Sequence, residues 1–295
     1  MKHAIEVQGL THKYGDRLIY EDLSFSVPQK RVVALLGKNG VGKTTLIRIL
    51  MGFLRPVGGR CFVLGEDSHD LSPETRARIG LLFEGHLAYE LMTIAEIERF
   101  YRPFYSGWRK DLYYDLVDRL ALPYDHRIGN MSCGQRSQVV LGLIFAQNPE
   151  LMILDDYSMG LDAGYRRLFL EYLDNFIDEG EKTVFVTSHV VQDMEQLVDD
   201  VIFLQRGGDV LQMSLESFRD TFRSYSYELA KSAQPPAADD MIVNVDNLGK
   251  RNTLFSFAPQ EQLHKHLEQN HPGAKLGDEL PMSLEDAFIG LTGKY

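Results

Sequence analysis

Val32-Val33-Ala34-Leu35-Leu36-Gly37-Lys38-Asn39-Gly40-Val41-Gly42-Lys43-Thr44 decides the fold. The uninterrupted apolar run at its start has strand length and reads as a strand buried on both faces. The residues from Gly37 to Thr44 fit G-x-x-x-x-G-K-[ST], and over 44–54 apolar residues recur at helical spacing. Strand, glycine loop and helix together form a phosphate-binding unit. Gly37, Gly40 and Gly42 let the backbone wrap a phosphate chain, with successive N–H groups, that of Asn39 among them, turned inward. Lys43 supplies a charge for the β- and γ-phosphates, Thr44 a hydroxyl for magnesium, and the helix N-terminus the positive end of its dipole.

The neighbouring segments extend that unit into a sheet. Ile5 and Val7 alternate with polar residues, as do Leu23, Phe25 and Val27 after a turn at Tyr14-Gly15-Asp16. This is the pattern of antiparallel strands, with Pro28 closing the run. Leu151-Met152-Ile153-Leu154 and residues 183–187 are further buried strands, separated by a helix over 165–177. Buried runs alternating with helices predict a mostly parallel sheet. Over about 87–135 the pattern is helical and rich in aromatics, with Leu112, Leu116 and Leu120 at helical spacing and breaks at Pro103, Gly107 and Pro123. A helical sub-domain inserted in the α/β fold is therefore expected. A polar, proline-containing stretch at 231–240 has linker character. Beyond it 241–245 and 253–257 read as strands and 260–269 as a helix. The expected division is a main domain over 1–222, a linker over 223–240 and a small α+β module over 241–295.

Composition narrows the function classes. Hydrophobic residues make up 44% and charged residues 25% of the 295, which fits a folded globular chain and argues against a disordered, collagen-like or rod-like one. No apolar run approaches the roughly 20 residues that span a bilayer. The opening Met1-Lys2-His3-Ala4-Ile5-Glu6 meets an acid before any apolar core of a secretion signal, so a cytoplasmic location is expected. A formal net charge of −11 disfavours nucleic acid and anionic lipid, both of which repel an acidic surface, and any membrane link is expected to run through a protein. The two cysteines, Cys61 and Cys133, have no metal-ligand pairing around them, so neither a disulfide framework nor a zinc site is expected.

Leu151-Met152-Ile153-Leu154-Asp155-Asp156 places two carboxylates at the end of a buried strand, where ligands sit in open α/β sheets. Alone, the pair reads as a solvated turn. Beside a phosphate loop, Asp155 becomes the residue that holds magnesium, usually through a water, and Asp156 the one that orients or deprotonates an attacking water.

These residues resemble the nucleotide-binding subunit of ATP-binding cassette (ABC) transporters, over about residues 3–220. Asn130-Met131-Ser132-Cys133-Gly134-Gln135-Arg136 is similar to the family's signature loop L-S-G-G-Q and precedes Asp155 at the family's spacing. By the resemblance, Ser132, Gly134 and Gln135 with the following helix bind the γ-phosphate of ATP held by an opposite subunit. Read without the template, Ser132 is a helix N-cap. Gly160-Leu161-Asp162 resembles the loop that communicates across the dimer, and Thr187-Ser188-His189 the switch histidine. Tyr14 stands where the family has an aromatic that stacks on adenine. Glu84 stands where many relatives have a glutamine that touches magnesium, and exporters of the bacitracin-resistance type look similar there. Thr45 completes the phosphate loop.

The resemblance implies an α/β P-loop cassette with a mostly parallel core sheet, an antiparallel β sub-domain, an inserted α-helical sub-domain and a small C-terminal α+β module. It implies ATP and Mg2+ as ligands and ATP hydrolysis coupled to transport, by an exporter-type homodimer of cassettes. The partner is a separate transmembrane permease, through which the cytoplasmic chain sits on the inner face of the cell membrane, with no nucleic acid and no direct lipid contact. Glu84, Asp156 and His189 are the expected catalytic residues, and Thr44, Asp155 and Glu84 the metal-binding ones. Three positions depart from the pattern: Cys133 replaces a glycine, Glu84 a glutamine, and Asp156 a glutamate. The Asp156 carboxylate reaches about 1.5 Å less far than glutamate's, one carbon–carbon bond. A nucleotide-gated structural subunit with little turnover, or a cassette protein not coupled to transport, is the alternative. Ser283 is expected to cap a terminal helix with Leu284, Phe288 and Leu291 on one face.

Overall fold

The computed structural model describes residues 2–83, 89–156, 163–187, 195–231, 233–247 and 252–293. The chain divides into two units, Met1–Gln212 and Met213–Tyr295.

In the first unit the elements run β1 (His3–Tyr14), β2 (Arg17–Pro28), β3 (Val32–Leu36), α1 (Lys43–Leu50), β4 (Gly58–Val63), β5 (Glu66–Asp67), α2 (Pro73–Ala77) and β6 (Ile79–Leu82). They continue with α3 (Ile94–Tyr101), α4 (Lys110–Asp118), α5 (Cys133–Ala146), β7 (Leu151–Asp155), α6 (Ala163–Asp178), β8 (Thr183–Thr187), β9 (Asp200–Leu204) and β10 (Val210–Ser214). A six-stranded sheet has the order β10-β9-β3-β8-β7-β6, and its pairs from β9 across to β6 are parallel. A four-stranded sheet, β2-β1-β4-β5, is antiparallel.

Burial explains the apolar runs of β3, β7 and β8: every residue in each is buried, and polar ones stand only at the ends, Asp155 of β7 and Thr183 and Thr187 of β8. Val33 and Leu35 of β3, Ile153 of β7 and Phe185 of β8 join one core with Ile5, Leu10 and Leu23 of the antiparallel sheet and with Leu46, Ile47 and Leu50 of α1. Ala34, Met152, Val184 and Val186, which alternate with them, are buried as well. Helix α1 stops at Leu50 although the apolar period runs on to Leu54. Gly52 turns left-handed at φ 72°, and the Phe53 N–H returns to the Arg48 carbonyl at 2.8 Å, a glycine-terminated helix end. A Cβ on Gly52 would meet the Ser68 carbonyl oxygen at 2.5 Å, so the stop is built into the packing.

The helical sub-domain has its own core, in which Ile94 and Ile97 of α3, Tyr113 and Val117 of α4, and Val139, Leu143 and Ala146 of α5 meet. This core reaches past the expected boundary at 135, because α5 is a single helix whose second half packs both here and beneath β6.

The second unit contains α7 (Leu215–Thr221), β11 (Arg223–Leu229), β12 (Asn244–Asp246), β13 (Asn252–Ser256), α8 (Gln260–Asn270), β14 (Ala274–Leu280) and α9 (Leu284–Thr292). Its strands form an antiparallel sheet in the order β12-β13-β11-β14. The stretch expected as a linker from 223 therefore begins as a central strand: Tyr225 and Tyr227 are buried against Leu254, Leu263 and Leu267. The strand expected at 241–245 starts later, at Asn244, because Asp239 captures the Met241 and Ile242 N–H groups. Ser283 caps α9 in a reciprocal box with Asp286, and the buried face is Leu284, Ala287 and Gly290, with Phe288 and Leu291 half-buried.

Candidate functional site

The register of the parallel sheet builds the site. Leu35 of β3 pairs with Thr187 of β8, and Thr187 pairs with Asp155 of β7, so three strand ends line up at one edge. Thr187 is fully buried and ties them together. Its hydroxyl donates to Asp155 Oδ1 at 2.8 Å and accepts the Asp156 N–H at 3.0 Å, while its carbonyl accepts the same N–H at 3.1 Å. Asp156 leaves the strand at φ 49°, a left-handed conformation that costs a non-glycine residue about 1 kcal/mol or more. The Thr187 bonds hold it there.

Asp155 is 2% exposed, and its Oδ2 is buried with no hydrogen-bond partner. Burial raises its pKa; the Thr187 and Thr44 hydroxyls and the Lys43 charge act against that, and the Asp156 charge adds to it. A desolvated carboxylate with one open oxygen beside a threonine hydroxyl is a donor set that suits a hard cation such as Mg2+.

The phosphate loop follows β3. Its turn is closed by the Val41 N–H on the Lys38 carbonyl at 3.2 Å, and Gly40 and Gly42 take φ of 78° and 115°. Gly42 caps α1 without any side-chain hydrogen bond, so the helix end is open to an anion. Lys43 Nζ donates to the Gly37 and Lys38 carbonyls at 2.6 and 3.3 Å, folded over the loop. Burial lowers its pKa, while Asp156 and Asp155 raise it. A polyphosphate entering the loop would supply the counter-charge that burial makes valuable.

Gly42 is fixed by its surroundings. Tyr20, fully buried, donates its hydroxyl to the Gly42 carbonyl, and a Cβ on Gly42 would lie 2.4 Å from that oxygen and 2.7 Å from Ile19 Cγ2. Gly42→Ala is expected to destabilise the protein by about 2 kcal/mol through overpacking and a strained φ, read as a lower midpoint in urea. An unchanged midpoint would show that the loop relaxes around the methyl group.

A groove of about 460 Å³ gathers Tyr14, Asn39, Gly40, Gly42, Lys43, Thr44, Thr45, Asp155 and Asp156. Gly37 lies beneath it, where a Cβ would meet the Leu204 carbonyl oxygen at 2.8 Å. Tyr14 is 45% exposed, its ring in a T-shaped contact with His12. Three lining residues had no assigned role in the sequence: Arg17, Ile19 and Thr187. Arg17 Nη2 donates to the Gly40 carbonyl at 3.3 Å. Thr187 could have been found from its strand-end position, level with Asp155; nothing in the pattern marked Arg17 or Ile19.

Ser132, Gly134 and Gln135 do not line this groove. Ser132 caps α5 in a reciprocal box: its hydroxyl accepts the Gln135 N–H at 3.3 Å, and Gln135 Oε1 accepts the Ser132 N–H at 2.9 Å. Ser132 and Cys133 are exposed, so this helix end, too, faces outward. Glu84, His189 and residues 160–162 lie outside the described residues.

A family model described as ABC transporter matches residues 20–158. The Nod factor export ATP-binding protein I of Rhizobium sp. (strain N33) is 30% identical, across 99% of this chain and 98% of its own. The chain belongs to the ABC transporter family. It is an ATP-binding subunit of that family, an ATPase whose hydrolysis is coupled to transport. A solved ATP-binding subunit of an ABC transporter superposes with a TM-score of 0.65 at 25% identity, covering 74% of this chain and 92% of that one. The ABC cassette fold also matches a dimeric cassette solved in a post-hydrolysis state with ADP and phosphate, at a TM-score of 0.61 and 20% identity, over 72% of this chain and 98% of that one. Among the described residues no helix is long and apolar enough to cross a membrane.

Proposed function

We propose that this ABC subunit powers an exporter, as a homodimer that closes on two magnesium-ATP molecules and drives a separate transmembrane permease. The observation that carries the reading is a site divided in two. One protomer gathers the phosphate loop, Asp155 and Asp156 in a groove, while its signature helix end stands exposed outside that groove. A second copy facing the first supplies Ser132, Gly134 and Gln135 to the γ-phosphate, a contact of anion with helix N-terminus made in trans. Likeness along the whole length of a relative named as an export ATP-binding protein supports the exporter assignment.

The geometry supports these roles, except those of Glu84 and His189, which rest on the family resemblance alone. Tyr14 stacks on adenine. The N–H groups of Asn39, Gly40 and Gly42 and the open end of α1 cradle the phosphates, and Lys43 turns from the loop carbonyls to the β- and γ-oxygens. Thr44 and Asp155 Oδ2 hold Mg2+, with Glu84 as a further approach to it. A magnesium ion held by these residues would supply positive charge against the negative charge that develops on the phosphates. Asp156, fixed by Thr187, orients or deprotonates the water, and His189 contacts the γ-phosphate.

Dimer formation tests the proposal. With Asp156→Asn to block hydrolysis, saturating ATP is expected to double the mass seen by light scattering and to protect the exposed Cys133 from a bulky thiol reagent. A protein that stays monomeric, with Cys133 labelled equally with and without ATP, would sink the homodimer and point to an unlike partner cassette.

A further inference from the structure

In the C-terminal unit Asp239, His266 and His271 meet. Asp239 stands ahead of β12, His266 lies on α8, and His271 follows the helix where the chain leaves helical geometry at φ −128°, ψ 67°. Asp239 Oδ1 accepts the backbone N–H groups of Met241 and Ile242, each at 2.8 Å, which fixes the carboxylate. Its Oδ2 is 2.7 Å from His266 Nε2 and 3.2 Å from His271 Nε2. One ligand atom from each of the three residues lies within 4.8 Å of the other two. The imidazoles are 17% and 18% exposed, so the cluster is largely shielded yet open to solvent on one side.

Two imidazoles on one carboxylate oxygen are more than an aspartate needs to be oriented. Tetrahedral zinc, with bonds of about 2.0–2.2 Å, keeps its ligand atoms about 3.4 Å apart. Each Asp239-to-imidazole distance therefore has to open by less than about 1 Å to admit the ion. Two nitrogens and one carboxylate suit Zn2+, Co2+ or Ni2+, whereas Mg2+ and Ca2+ want oxygen throughout.

We infer that Asp239, His266 and His271 form a binding site for a divalent transition-metal ion, zinc by preference, which ties the segment ahead of β12 to α8. Water takes the fourth position. Coordination at Nε2 places the ring proton of each histidine on Nδ1. Asn270 Nδ2, which is 3.1 Å from His266 Nδ1 and donates to the His266 carbonyl at 3.2 Å, then has to move aside from that ring proton. The two cysteines play no part, which is why a search of the sequence for cysteine-based patterns passes the site by. The inference is independent of the ATP site, so either can fail without the other.

The experiment is calorimetric titration of ZnCl2 into the full chain, freed of any histidine tag and dialysed against chelator. One ion per chain is expected, with a raised melting midpoint and, on substituting CoCl2, the visible absorption of a tetrahedral cobalt site. His266→Gln and His271→Gln are each expected to weaken zinc binding on the order of 100-fold, as loss of a ligand should exceed the loss of a supporting contact. His264→Gln, which removes the nearby pair of His264 with Glu268 at 3.4 Å, should leave it unchanged. ATP affinity and far-ultraviolet ellipticity report whether each variant is folded. If His266→Gln does not fold, the cobalt spectrum of the wild type and the His271→Gln titration decide. Failure to take up one ion, or equal affinity in the wild type and His271→Gln, would overturn the site.

Discussion

Asp156→Asn is expected to lower ATP turnover on the order of 100-fold or more, the loss that follows removal of a general base, while ATP affinity stays within a factor of about two. The neutral amide keeps the size of the carboxylate and keeps its backbone N–H on Thr187, where the native residue is held at 3.0 and 3.1 Å. What is lost is the charge proposed to face the water. Asp156→Glu supplies the longer reach that the family uses and should keep or raise the rate. The paired variants separate two explanations, because a purely structural Asp156 would suffer more from the added methylene than from the amide. Full activity in Asp156→Asn would move the role to Glu84 or His189.

Lys43→Ala should remove measurable ATP binding and leave the fold in place. Lys43 gives its Nζ to the Gly37 and Lys38 carbonyls, one hydrogen bond at 2.6 Å and a weaker one at 3.3 Å, and no apolar core depends on it. The loss to stability is therefore about 1 kcal/mol, the net worth of a hydrogen bond. The loss to binding is larger, because the ammonium is the loop's point charge for the phosphates. Fluorescent-nucleotide titration beside a thermal melt checks both. An unchanged affinity would remove the phosphate-loop assignment.

The parallel core was legible because burial on both faces favours apolar residues through the middle of β3, β7 and β8, which announce themselves as apolar runs and keep polar residues only at their ends. The phosphate loop was legible for a related reason: positive φ at Gly40 and Gly42 and the crowding of Gly42 by Tyr20 leave glycine alone suited to those places. Local pattern failed where a distant contact decides. Nothing near Leu50 shows that Gly52 must clear the Ser68 carbonyl, so the helix was drawn too long. In Arg223-Ser224-Tyr225-Ser226-Tyr227 the alternation of tyrosine and serine was a strand signal, but proximity to a proline-containing stretch made it read as linker. Thr187 was quoted for the histidine two places on, and its own function depends on sheet register, which no single strand contains. The signature at Ser132 came from family resemblance. From residues alone it is a capped helix, and a capped helix is what the structure describes; a trans contact leaves no mark on an isolated chain.

In the proposed dimer, helix α5 supplies the leverage. Its last two turns are buried on nearly every side, with Val139, Leu143 and Ala146 in the helical core and Phe145 against Phe169 and Phe176, while its first turn is only partly covered and begins with the exposed Ser132 and Cys133. Over 14 residues the rod is about 21 Å long. A tilt of about 5° at the buried end would carry Ser132 sideways by about 2 Å, a displacement at which a phosphate contact is lost. In that dimer, alignment of one protomer's signature with the other's nucleotide would be set by how tightly Phe145 and Ala146 are gripped, far from any phosphate.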